Sequence, residues 1–169
     1  MRTGEFDEAV SYFNEALPLL RDIGERTNTA IALSGLAEIA IRQEDYERAT
    51  AYEEESSMLR REVGEKWGIA VSLGNRSWIA LCQGDLDSSA ELLQESLQLR
   101  YEIGDLGGIA WCLEKFAEIE INQGSESVSA QEHFIRAATL FGAAAALRMP
   151  VASVIEEIDK PAYEHRLEL

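Results

Sequence analysis

The sequence predicts an all-α fold: a right-handed superhelical solenoid of antiparallel helix pairs, about eight helices, in a single domain over residues 1–169. Three observations carry this expectation. The chain matches itself after a shift of forty residues, and a fixed period in that range marks a stacked-repeat architecture. Apolar residues recur at steps of three and four, the spacing that lines one face of a helix. Prolines number only three, which favours long helices.

The repeat is ungapped through its first three copies. Gly4, Glu44, Gly84 and Gly124 share one position, and Ile23, Val63 and Ile103 share another, each followed by glycine. Ala30, Ala70 and Ala110 align, as do Leu33, Leu73 and Leu113, then Ile39, Ile79 and Ile119, then Gln43, Gln83 and Gln123. Amphipathic helices of similar length would reproduce the apolar spacing but not the matched glycines and glutamines.

Composition narrows the function classes. Hydrophobic residues make up 46% of the chain, enough to build a continuous core. The net charge of −16 argues against nucleic acid and anionic membranes, since both require a basic face. No apolar run approaches the ~20 residues of a membrane span, and no signal peptide precedes the repeats. Cys82 and Cys112 have neither disulfide nor metal spacing, so reduced thiols in a cytoplasmic protein are expected.

Taken in order, residues 5–23 form a first helix, a half repeat. Ala9, Tyr12, Phe13, Ala16, Leu17, Leu20 and Ile23 make its stripe, Pro18 should kink it or shift a hydrogen bond near Asn14, and Gly24 ends it. Helix pairs follow over 27–63, 67–103 and 107–148, and a divergent C-terminal helix over 151–169. Glu44 replaces the stop glycine found at Gly84; a left-handed backbone there would cost about 1 kcal/mol. Asp45 and Asp85 are suited to cap the next helices. Tyr46, Ala49, Tyr52, Ser56 and Leu59 should face inward, and Glu53-Glu54-Glu55 should form a solvated face. Pro150 ends the stripe Phe134, Ala137, Ala138, Phe141, Ala144, Ala145 and Leu147.

This register resembles the tetratricopeptide repeat. Leu33, Leu36 and Ala37 look like its first-helix signature, Gln43, Asp45 and Tyr46 like its turn, and Ala49, Tyr52 and Leu59 like its second helix. The period is longer than the usual one. It resembles the long-repeat subclass whose units end as Ile103-Gly104-Asp105 and Gly108 do, and Ala137–Arg148 is similar to the end of repeat arrays in large bacterial ATP-dependent transcriptional regulators. Three positions depart from the pattern. Ser89 stands where alanine is expected, Arg76 where Leu36 and Phe116 sit, and Glu120 where Ala40 and Ala80 sit. Either the repeats pack loosely there or Arg76 and Glu120 meet across neighbouring helices.

The resemblance implies that the first helix of each pair lines a concave groove. Its facing positions would be Ile31, Ser34 and Glu38, then Val71, Gly74, Asn75 and Trp78, then Trp111, Glu114, Lys115 and Glu118. Trp78 and Trp111 would be anchors, Glu38, Glu114 and Glu118 would make the groove acidic, and Asn75 would hydrogen-bond a peptide backbone. Lys115 alone could contact a terminal carboxylate, which disfavours that ligand. The array also opens on a second-type helix, leaving Tyr12, Phe13 and Leu19 for self-association or marking a fragment of a longer protein.

Catalytic constellations are scarce. His133 and His165 are the only histidines, and no metalloprotease, nucleophile-elbow or phosphate-loop motif occurs. The expectation is a non-enzymatic scaffold without cofactor or metal, binding a basic or apolar protein or peptide. Homodimerisation and small-molecule sensing within a regulator are the alternatives.

Overall fold

A computed structural model describes residues 3–125 and 129–149. These are helical, with no strand among them, and seven helices follow one another in tandem. The eighth, expected over 151–169, lies outside the described residues. The chain divides into two compact units, Met1–Gly104 and Asp105–Leu169.

The first unit holds α1 (Thr3–Asp22), α2 (Arg26–Arg42), α3 (Tyr46–Val63), α4 (Lys66–Cys82) and α5 (Leu86–Ile103). Each helix packs on the next. α1 runs through Pro18 as one helix. The corners follow the periodic residues. Gly24, Gly64, Gly84 and Gly104 all have φ between 70° and 80°, and Glu44 is the non-glycine residue that joins them, at 61°. Each turn thus needs a left-handed residue, which glycine supplies without a Cβ clash. The Asp45 Oδ1 atom accepts the Arg48 N–H at 3.2 Å, and Asp85 Oδ1 accepts the Ser88 N–H at 3.1 Å, so both act as the expected N-caps.

Two apolar clusters hold the early helices together. Leu17, Ala32, Leu33 and Leu36 form one, with Val10, Phe13, Leu20, Tyr52 and Leu59 against it. Ala40, Ile41, Ala49 and Ile79 form the other, flanked by Tyr46 and Trp78. The recurring alanines bring backbones close. Ser56 Oγ donates to the Ala30 carbonyl at 2.9 Å, and forty residues on Ser96 Oγ donates to the Ala70 carbonyl at 2.7 Å. The departure at Ser89 is resolved the same way. Ser77 Oγ donates to the Ser89 carbonyl at 2.9 Å, both serines are buried, and they occupy the places of the buried pair Ala37 and Ala49.

The second unit is a hairpin of α6 (Leu106–Ser125) on α7 (Ala130–Arg148). Asp105 Oδ1 accepts the Gly108 N–H at 2.8 Å at its start. Glu120 is paired inside this unit: its Oε2 lies 2.7 Å from His133 Nδ1 and 2.9 Å from Arg136 Nε. Arg76 is half-buried and borders a shallow cavity of about 530 Å³ with Glu54, Ser57, Met58, Arg61 and Glu62. A carboxylate at Glu120 is tolerated because α7 supplies the donors that its alanine counterparts do not need.

Candidate interaction surface

The polar centre of the first unit lies between α2, α3 and α4, and it corrects the sequence expectation. Glu53 is not on a solvated face; it is fully buried. Consecutive helical residues point about 100° apart, so Glu54 is exposed while Glu53 shares the inward face of Ala49 and Ser56. Asn75 Nδ2 donates to Glu53 Oε1 at 2.6 Å, and Ser34 Oγ donates to Glu53 Oε2 at 3.4 Å. Arg60, also buried, donates from Nη1 to the Gly68 carbonyl at 2.6 Å and from Nη2 to Ser34 Oγ at 3.3 Å. Its Nε and Glu65 Oε2 are buried without a hydrogen-bond partner.

Burial pushes the Glu53 carboxyl above its ordinary value, against the opposing pull of Asn75, Ser72, Ser34 and the Arg60 charge. Burial likewise lowers Arg60, with Glu53 and Glu65 opposing. The signal for Glu53 was present in the repeat register. Phe13 and Leu93 occupy its position in the flanking copies, both as core-facing residues.

The predicted groove residues are largely committed to contacts within the chain. Asn75 points at Glu53, not at a free backbone partner. Trp78 is half-buried and packs against the Ala40–Ile79 cluster. Glu38 is exposed and pairs with Arg42 at 2.7 Å, and Ile31 is exposed beside it on α2. In the second unit, Lys115 Nζ sits 2.6 Å from Glu118 Oε1 and 5.8 Å from the centroid of the Trp111 ring. Glu114 receives both Arg148 Nε, at 3.0 Å, and Arg148 Nη2, at 2.9 Å. The acidity expected at Glu38, Glu114 and Glu118 is therefore largely matched by local cations. Of the proposed association residues, Phe13 faces inward, its ring against Gly35, while Tyr12 and Leu19 are exposed.

Outside these positions the surface carries a periodic charge ladder that sequence reading missed. Arg21 pairs with Glu55 at 2.6 Å, and Arg61 with Glu95 at 3.7 Å. Arg26 pairs with Glu62, and Lys66 with Glu102, both at 2.9 Å. Each pair recurs one period later, so the ladder was encoded in the matched Glu and Arg positions. Among the described residues, no group of three or more His, Cys, Asp or Glu is placed to hold a metal ion, and no helix is long and apolar enough to cross a membrane.

Residues 1–62 match the tetratricopeptide repeat family model. The match spans α1, α2 and nearly all of α3, and the same succession of helices continues through α5. No curated protein matches the chain.

Proposed function

We propose that the chain is a non-catalytic scaffold that binds a protein or peptide, as a module of a larger cytoplasmic signalling or transcriptional regulator. The tandem helical hairpins and their tetratricopeptide-repeat match support this reading, because such repeats generally serve protein interaction. The groove-facing helices supply the means of recognition. In the first unit α2 offers the exposed Ile31 and Glu38, and α4 the half-buried Trp78. In the second, Trp111, Glu114, Lys115 and Glu118 offer an aromatic ring within a network of paired charges. A ligand with large apolar side chains and at least one cation suits both sets, since aromatic anchors supply contact area and charges fix register.

Peptides selected against the whole chain by display test the reading. Trp78→Ala combined with Glu114→Lys should weaken the selected peptides at least about tenfold while the helical circular dichroism is retained. Unchanged affinity in a helical variant removes the groove assignment. The domains encoded beside this one decide the regulator context: a nucleotide-binding or DNA-binding domain supports it.

A further inference from the structure

Among the described elements α1 packs on α2 alone, whereas its repeat equivalent α3 lies between α2 and α4. Tyr52 and Leu59 of α3 pack against the cluster of Ala32, Leu33 and Leu36 from α2 with Leu17 from α1. Their counterparts forty residues earlier, Tyr12 and Leu19, are 63% and 66% exposed. Ile23 is 75% exposed, against 43% for Val63. The face that α3 gives to its preceding helix is thus present on α1, built from the same residue types, and uncovered.

The charge ladder says what fits there. Glu62 and Glu102 each take a cation from the first turn of the preceding helix, Arg26 and Lys66. Glu55 and Glu95 each take an arginine from the helix before that, Arg21 and Arg61. In both cases the two cations straddle a left-handed glycine, Gly24 or Gly64: one stands three residues before it and one two residues after. On α1 the equivalent acids are Glu15 and Asp22. Neither forms an ion pair among the described residues; Glu15 accepts only the Ser11 hydroxyl, at 3.3 Å.

We infer that this face of α1 docks a helical corner of another polypeptide. That corner is an amphipathic helix entered through a left-handed glycine, with flanking cations that reach Glu15 and Asp22 while its apolar stripe covers Tyr12, Leu19 and Ile23. A second copy of this chain does not suit the face. Its two corners of this form already spend their cations on its own acids, and its third carries Tyr101 and Leu106 instead. Two α1 faces together would oppose like carboxylates in chains of net charge −16, which is repulsive. This surface is distinct from the proposed groove, so either assignment can fail alone.

A labelled peptide of the sequence Arg61–Gln83, stapled on its exposed side to hold its helix, serves as the probe against the whole chain. Saturable binding is expected. Glu15→Lys with Asp22→Lys should weaken it about tenfold or more, and Glu91→Lys, an exposed acid on α5, should leave it unchanged. A peptide carrying Arg61→Glu and Lys66→Glu should regain affinity for the doubly substituted chain. Absence of saturable binding, or binding indifferent to the charge exchange, overturns the inference. So does a dimer in sedimentation that Leu19→Asp dissociates, because the face then belongs to a second copy.

Discussion

Glu53 and Leu93 hold the same place in consecutive repeats, forty residues apart, and both are completely buried. One copy fills the position with a leucine; the other fills it with a carboxyl that Asn75 and Ser34 satisfy. The hydrogen-bond partners change with it: Asn75 and Ser34 stand where the next copy has Lys115 and Gly74. A buried charge requires such donors, since desolvation of an unpaired carboxylate is far costlier than any single contact returns.

The raised carboxyl of Glu53 makes stability depend on pH. Its folded-state value lies above that of the unfolded chain, so protonation favours the fold. This contribution is complete below the ordinary carboxyl value of 4.5 and is lost as pH rises through the raised value. Glu53→Gln removes the titration but keeps an amide oxygen for Asn75. Urea midpoints measured from acid to neutral pH should decline more steeply for the parent chain than for this variant.

Asn75→Ala tests the same network from the other side. It leaves the Glu53 carboxylate without its shortest donor and should cost about 1–3 kcal/mol at neutral pH. The loss should shrink in acid, where a neutral carboxyl needs less compensation. Equal losses at both ends of the pH range would mean that Asn75 contributes packing alone.

Glu44 occupies a left-handed turn, φ 61°, that its counterpart Gly84 adopts at 80°. Glu44→Gly should relieve about 1 kcal/mol of backbone strain and raise the thermal midpoint by a few degrees. Gly84→Ala should lower it, because no Cβ is tolerated at that φ without strain even though open space surrounds the site.

Glu120 is held below the ordinary carboxyl range: burial opposes this, but the hydrogen bonds from Arg136 and His133 outweigh it. Its stabilising contribution is present above the unfolded-chain value and disappears as pH falls through the depressed one. Glu120→Gln should destabilise the α6–α7 hairpin by about 1 kcal/mol at neutral pH. In strong acid the two proteins should converge, as followed by hydrogen exchange of α7 amides.

By itself the sequence determined the helical class, the forty-residue period and the corners. Those features are local. Helical spacing follows from 3.6 residues per turn, glycine is the residue that reaches positive φ without strain, and Asp45 and Asp85 cap helices through neighbours three residues away. The tertiary structure alone decided the fate of the polar residues. Three consecutive glutamates read as one solvated run, yet the helix turns Glu53 inward, where donors from α2 and α4 meet it. Glu120, a departure from the alanines of the other copies, meets His133 and Arg136 because α7 folds back over α6. A buried charge is satisfied by side chains distant in sequence, and which of them converge depends on how the helices pack, a quantity that no single helical pattern contains.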